Sequence, residues 1–312
     1  MTQLGPDAKG VYIISATPFT DDGAIDFKST NRLVDYYREI GVDGITILGM
    51  MGEAPKLDGP EALQFTTEVV RRAGNLPVIV GVSAPGFAAM RSLARGAMDA
   101  GAAGVMIAPP ATARTDDQIV GYFAQSADAI GADVPFVIQD YPLASGVVMS
   151  VGVIERIITG NSSCAMLKHE DWPGLDKLAG IRRAEAERGL RRVPILCGNG
   201  ALFLDFELTR GADGAMTGYA FPELLVRMCS ARTSGDLKRL HDLFDAHLPL
   251  IRYEQQPGAG LAVRKYVLQK RGLIASAAQR KPASSMSEAT RLEVDFLIDR
   301  VLARDTEICL MA

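Results

Sequence analysis

The stretch Cys164-Ala165-Met166-Leu167-Lys168-His169-Glu170 reads as a short apolar strand that ends on charge. A buried strand rarely terminates on a cation without a reason, because desolvating an unpaired ammonium is costly. The segment is the sixth of eight similar runs: Val11–Phe19, Gly44–Gly49, Pro77–Ser83, Gly104–Pro110, Pro135–Asp140, Cys164–Glu170, Val193–Asn199 and Gly214–Tyr219. Their spacing of roughly 20 to 35 residues is that of a strand followed by a helix. Asp26–Ile40 carries Phe27, Leu33, Val34, Tyr37 and Ile40 on one side, as an amphipathic helix does. Helical patterns also fill Pro60–Arg72, Ala88–Ala100, Asp116–Ile130, Val151–Ile158, Gly174–Arg188 and Leu202–Arg210. Gly41-Val42-Asp43-Gly44, Gly101-Ala102-Ala103-Gly104 and Gly211-Ala212-Asp213-Gly214 are nearly one phrase used three times, each stopping a helix before a strand. Eight equivalent units predict an α/β fold, a (β/α)8 TIM barrel, with a doubly wound sheet as the alternative. No glycine-rich dinucleotide loop follows the first strand, which weighs against that alternative.

After Tyr219 the strand signal stops, and Pro222–Ala231, Ser234–His247, Gly258–Lys270 and Ser287–Ala303 read as helices. The expected division is a barrel over residues 1–225 carrying the active site and a C-terminal helical extension over residues 226–312. Ser276–Ser287, with Arg280, Lys281 and Pro282, reads as a surface loop.

Composition narrows the partners. The 312 residues can bury a large core, and 48% hydrophobic with 22% charged residues is a globular balance. A net charge of −4 without a basic block gives nucleic-acid binding no support. Met1 to Gly10 hold no apolar stretch, so no signal peptide is expected, and no run approaches the length of a membrane span. Cys164, Cys197, Cys229 and Cys309 are widely spaced and show neither a zinc pattern nor a disulfide framework. His169, His241 and His247 are too scattered for a metal site. The chain therefore reads as cytoplasmic, without metal or cofactor, and with a small molecule as its partner.

In a barrel, catalytic side chains come from the carboxyl ends of the strands. The second strand ends in Gly49-Met50-Met51-Gly52-Glu53, where glycines permit a tight turn whose N–H groups can receive a carboxylate; an ordinary glycine-rich turn is the other reading. In the fifth strand Gln139 and Tyr141 share a face and Asp140 takes the other. Lys168 shares its face with Met166 and Glu170, whereas His169 points away and reads as structural. Two readings of Lys168 stand side by side. It either pairs with Glu170 or Asp171, or it is a partly dehydrated amine able to form a Schiff base with a carbonyl. Bringing a lysine pKa from about 10.4 to about 7 disfavours the ammonium by roughly 4 to 5 kcal/mol. That asks for an apolar surround, which Met166, Met50 and Met51 could supply, and for Glu170 at a distance.

Gly10, Ala16-Thr17-Pro18-Phe19, the Gly49-x-x-Gly52-Glu53 turn, Pro142 with Gly146, and Lys168 together resemble the dihydrodipicolinate synthase and N-acetylneuraminate lyase family over about residues 8 to 305. The resemblance implies a barrel with helical C-terminal region, commonly tetrameric, so a homotetramer or homodimer is expected. It implies that Lys168 forms a Schiff base with pyruvate or a longer 2-keto acid, and that Gly49 to Glu53 hold the carboxylate. Departures are specific. Met50 and Met51 replace two threonines, Gln139 stands where a strand-five tyrosine shuttles protons, and Ala144 stands where an arginine binds aspartate semialdehyde. Ala108–Thr112 offers no counterpart to the tyrosine lent by a neighbouring subunit. Gln139-Asp140-x-Pro142, Ala215-Met216-Thr217-Gly218 and Leu248-Pro249-Leu250-Ile251 resemble the 2-keto-3-deoxyarabonate dehydratase branch.

The expectation is a Schiff-base lyase for a 2-keto acid, foremost a dehydratase of a 2-keto-3-deoxy sugar acid. A pyruvate-releasing or pyruvate-condensing aldolase is the alternative, and a non-catalytic keto-acid-binding barrel a third. Lys168, Tyr141 and Gln139 are the expected catalytic residues. Gly49, Met50, Met51, Gly52, Glu53, Glu170, Asn199, Thr217 and Gly218 are the expected substrate contacts. Because Gln139 does not titrate, the proton falls to Tyr141 first, or to Glu170, a water or the substrate's own carboxylate.

Overall fold

Close approach of neighbouring strands decides where glycine must stand in this chain. The computed structural model describes residues 4–308, so Cys309 lies outside the described residues. Eight parallel strands form a closed barrel: β1 (Gly10–Ile14), β2 (Gly44–Ile47), β3 (Val78–Gly81), β4 (Gly104–Ile107), β5 (Phe136–Asp140), β6 (Cys164–His169), β7 (Ile195–Cys197) and β8 (Gly214–Ala215). The thrice-used phrase has a physical meaning at both ends. Its first glycine takes positive φ at the helix stop, 76° at Gly41, 100° at Gly101 and 103° at Gly211. Its second glycine enters the strand where no Cβ fits. At Gly214 a Cβ would lie 1.9 Å from the Gly10 carbonyl oxygen, and at Gly44 it would lie 2.3 Å from the Tyr12 ring.

The helices are α1 (Phe27–Glu39), α2 (Gly59–Ala73), α3 (Phe87–Ala100), α4 (Asp116–Ile130), α5 (Pro142–Ser145), α6 (Val151–Gly160), α7 (Leu175–Arg188), α8 (Leu204–Thr209), α9 (Glu223–Ser234), α10 (Leu237–Glu254), α11 (Gly260–Lys270) and α12 (Glu288–Arg304). Asp58 with Glu61 and Thr115 with Gln118 form reciprocal capping boxes that fix the starts of α2 and α4. None of these helices is long and apolar enough to cross a membrane.

Strand parity sorts the core into two shells. Tyr12, Ile14, Ile79, Met106, Val137, Met166, Leu196 and Met216 pack inside the barrel. Val11, Ile13, Ile45, Ile47, Val80, Val105, Ile138 and Leu167 face outward, against the helices. Met166 therefore lies below Lys168, two residues on, at the carboxyl-terminal mouth.

Several expected boundaries move. The first, seventh and eighth strands end at Ile14, Cys197 and Ala215, short of Phe19, Asn199 and Tyr219. Beyond the ladder the chain bends over the mouth, as the positive φ of Leu48 (54°) and Asn199 (45°) records, while Phe19 and Tyr219 stay buried there. Helix α9 packs on β1 and β8, against the outside of the barrel. Helix α10 continues past His247 to Glu254 despite Pro249, because Leu250 and Ile251 are fully buried on its inner face.

Arg271 ties the extension down. It is 1% exposed, donates to the Ala220 carbonyl, reaches Glu223 Oε1 and Tyr36 Oη at 2.8 Å each, and stacks 4.3 Å over the Phe221 ring. The loop around Arg280 is exposed only in part, since its guanidinium donates to the Gly23 and Lys56 carbonyls and to Glu61.

If barrel closure needs bare backbone at β8, Gly214→Ala should lower the unfolding free energy by about 3 kcal/mol or more. Gly59→Ala, at an exposed helix start with nothing within 4 Å, should stay within about 1 kcal/mol of the parent. Chemical denaturation of both variants measures this, and equal effects would contradict the closure argument.

Candidate active site

Three neighbouring strands end together at the mouth and their side chains meet. Gln139 of β5 is in register with Lys168 of β6, which is in register with Leu196 of β7. Lys168 is 4% exposed, and its Nζ lies 2.8 Å from Glu170 Oε2. The same oxygen accepts from Gln139 Nε2 at 2.9 Å, and Glu170 Oε1 accepts from the Asn199 backbone N–H at 3.1 Å. Glu170 fits there because β7 continues into glycine: a Cβ on Gly198 would fall 2.3 Å from Glu170 Cγ. The carboxylate is thus held by one ammonium and two neutral donors, which offsets the cost of burying it.

This arrangement corrects the expectation of an apolar surround for Lys168. Met166 forms the barrel interior beneath it, but the nearest partner of the amine is a carboxylate, so the ion-pair reading is realised. His169 points outward, as parity required, with Nε2 2.9 Å from the Gly174 carbonyl and Asp140 beyond it salt-bridged to Lys177.

A cavity opens above Lys168. Met50, Met51, Gln139, Tyr141 and Glu170 line one part of it, and Asn199, Thr217 and Gly218 line another. Tyr141 is half-buried at the start of α5. Burial, and behind it the Glu170 carboxylate, hold its phenol above the usual tyrosine range, with Arg264 opposing. Gly49 is not in this cavity but in an adjoining apolar hollow that shares Met50, Gln139 and Tyr141 and adds Met106, Ala108, Pro109 and Ala144.

Gly52 and Glu53, expected as substrate contacts, are not brought into the cavity. The Gly52 carbonyl accepts from Thr17 Oγ1 at 2.7 Å. Glu53, with φ of 54° and 2% exposure, turns its carboxylate outward to Lys265, to Lys56 Nζ at 2.9 Å and to the Arg280 backbone N–H at 3.1 Å. The reason is electrostatic: Lys265 is fully buried, over the Phe19 ring at 4.6 Å, and needs an anion. Desolvation holds the Lys265 pKa below its ordinary value even so.

Two polar lining side chains escaped the sequence reading, Gln255 at the end of α10 and Arg264 in α11. Each lies against a glycine at a strand end. A Cβ on Gly200 would fall 1.8 Å from Gln255 Nε2, and one on Gly218 would fall 2.6 Å from Arg264 Nη1. Arg264 is 3% exposed, and its Nε donates to Glu254 Oε2 at 2.7 Å. The available signal was the pair Arg264-Lys265, two adjacent cations in a helix that must pack on the barrel.

Comparison with known proteins places this geometry. Residues 7–301 match the model of the dihydrodipicolinate synthetase family. The chain is 32% identical over 298 residues to L-2-keto-3-deoxyarabonate dehydratase of Azospirillum brasilense, covering 93% of both chains. It is 30% identical over 250 residues to 4-hydroxy-tetrahydrodipicolinate synthase of Thiobacillus denitrificans, covering 78% of this chain and 80% of that one. The crystal structure of dihydrodipicolinate synthase from Rhodopseudomonas palustris superposes with a TM-score of 0.95 at 58% identity, over 96% of this chain and 100% of that one. A match spanning nearly the whole barrel and its extension leaves one assignment: the chain is a lyase belonging to the dihydrodipicolinate synthetase family.

Proposed function

We propose that this lyase forms a Schiff base between Lys168 and the keto carbon of a small 2-keto acid, and that it removes water from a 2-keto-3-deoxy sugar acid. The observation that carries the reading is the buried Lys168–Glu170 pair on the wall of a cavity, with the carboxylate steadied by Gln139 and the Asn199 N–H. At 2.8 Å, Glu170 can take the ammonium proton as substrate enters and leave a free amine. The amine then adds to C2, the proton held by Glu170 passes to the carbinolamine oxygen, which departs as water, and an iminium and the Glu170 carboxylate remain. The iminium acidifies C3; its proton passes to the Glu170 carboxylate, and the C–H electron pair becomes the enamine double bond. That pair next forms C3=C4 as the C4–O bond breaks, the departing hydroxyl taking a proton from an acid at the mouth. Hydrolysis of the conjugated iminium frees Lys168 and an unsaturated 2-keto acid, with one water lost overall.

Gln139 exchanges no proton, but as a donor to Glu170 it orients the base. The Tyr141 phenol, held protonated by burial, suits the donor's part. This assigns the base to Glu170 rather than to Tyr141. The similarity to the Azospirillum dehydratase supports dehydration, as does Ala144, where the family resemblance calls for an arginine that binds aspartate semialdehyde. A pyruvate-condensing synthase is the second reading, favoured by the names of the Thiobacillus and Rhodopseudomonas proteins. An exposed apolar groove formed by Trp172, Phe203, Phe206 and Leu248 supports self-association into a homodimer or homotetramer.

Lys168→Ala should abolish turnover of 2-keto-3-deoxypentonates while thermal melting stays cooperative, since Glu170 keeps its two other donors. A variant that still turns over would end the Schiff-base reading.

Glu170→Gln should lower turnover by about 100-fold or more. Tyr141→Phe should lower it by a smaller factor, and the reverse order would return the base to the phenol.

Condensation of pyruvate with aspartate semialdehyde should run below about 1 per second, under the range ordinary for enzymes. A rate within that range would favour the synthase reading.

A further inference from the structure

The keto carbon and the carboxylate of a bound 2-keto acid would define a line across the mouth, if Lys168 holds the first and the β2 turn the second. In the closed strand order β2 stands four strands from β6, on the opposite wall. The rest of the substrate must then turn to one side, and the two sides differ. Toward β3 and β4 the wall is apolar, with Met106, Ala108, Pro109 and Ala144. Toward β7 and β8 it is polar, with Asn199, Thr217, Gln255 and Arg264.

Arg264 is the unusual member of the polar side. Its Nη2 is buried and has no hydrogen-bond partner among the described residues, although its Nε is engaged by Glu254. A guanidinium N–H without a partner in a buried site costs free energy unless something that enters satisfies it. The guanidinium is held in place from both sides. Glu254 fixes Nε, and Gly218 keeps the cavity wall bare where Nη1 lies. The Arg264 guanidinium therefore lines the cavity with Nη1 on the Gly218 side, is held there by Glu254, and loses little freedom on binding.

We propose that Arg264 is a specificity-determining residue that binds an accepting oxygen at the end of the 2-keto acid remote from Lys168, at carbon 4 or beyond. The inference rests on the reading of Lys168 as the group that holds the keto carbon. It selects chains with hydroxyl or carboxylate oxygens and rejects alkyl chains of the same length, because an alkyl tail would leave the buried donor unpaired. The C-terminal helices thereby contribute chemistry as well as cover.

The test is borohydride trapping on the full chain, read as the half-saturating concentration of each 2-keto acid. Wild type should trap 2-ketoglutarate at a concentration at least about 10-fold lower than 2-ketovalerate, which has the same carbon count and a methyl end. A second pair with uncharged tails, 5-methoxy-2-ketovalerate and 2-ketoheptanoate, separates acceptor types. Preference in both pairs assigns a neutral oxygen, and preference in the first alone assigns a second carboxylate; either supports the proposal. In Arg264→Gln combined with Glu254→Gln, which leaves no buried charge unpaired, each preference should fall to within about threefold of unity. A purely structural role would weaken both members of a pair alike and leave the ratio intact, which would overturn the proposal. Wild-type ratios near unity would overturn it without any variant. Failure of wild type to trap any of these acids or pyruvate would instead sink the Schiff-base reading, and this inference with it.

Discussion

A charge buried at the mouth of a barrel must find its counter-charge within reach, and the architecture around that mouth follows from this requirement. Lys168 emerges from the apolar interior at 4% exposure and is compensated 2.8 Å away by Glu170. Glu170 in turn draws on β5 through Gln139 and on the chain beyond β7 through the Asn199 N–H. The same rule binds the C-terminal helices to the β2 turn and to one another. Lys265 answers Glu53 after β2, Arg264 answers Glu254, and Arg271 answers Glu223. A buried pair of this sort contributes little net stability, but loss of one partner is costly, so each fixes a relative position rather than a strength. Helix α10 runs on through Pro249 to the residue that Arg264 needs.

Much of this was legible in the amino-acid order. The repeated Gly-x-x-Gly phrase carries two steric demands that no other residue meets, a left-handed helix stop and a strand entry under a neighbour's backbone. Period-two alternation put Lys168, Glu170, Gln139 and Tyr141 on one side and His169 on the other, and all four of the former line the cavity. What alternation does not carry is distance. Parity sets Lys168 and Glu170 on one face but says nothing of whether the chain bends enough to bring them together. That bend depends on Gly198, whose missing side chain makes room for the carboxylate. Strand ends were read too long because buried apolar residues such as Phe19 continue past the ladder into the mouth. The pairing of Glu53 with Lys265 and the place of Arg264 were not legible for one reason. Both are decided by contacts between the β2 turn, the β8 end and a helix far along the chain, which no local pattern encodes.

The substitutions that set this chain apart from its family's pattern are coherent when taken together. Glu170 is the carboxylate next to the Lys168 amine, and Gln139 at the end of β5 donates to it. Two methionines in the β2 turn and Ala144 make one side of the mouth apolar, while Arg264 and Gln255 make the other polar. Under the proposed function, a 2-keto acid with an oxygen-rich tail would meet complementary groups on that polar side. An aldehyde partner bearing a carboxylate meets no arginine at Ala144.

The central claim is that Lys168 and Glu170 act as one unit, amine and base, on a 2-keto acid. Its most direct measurement is proton NMR of pyruvate in deuterium oxide with catalytic amounts of the protein. Formation of the iminium and return of the C3 proton through Glu170 would wash deuterium into the methyl group. The account predicts steady loss of the methyl signal with wild type and loss slowed by about 100-fold or more with Glu170→Gln. An undiminished methyl signal with wild type, or exchange in Glu170→Gln as fast as in wild type, would contradict it.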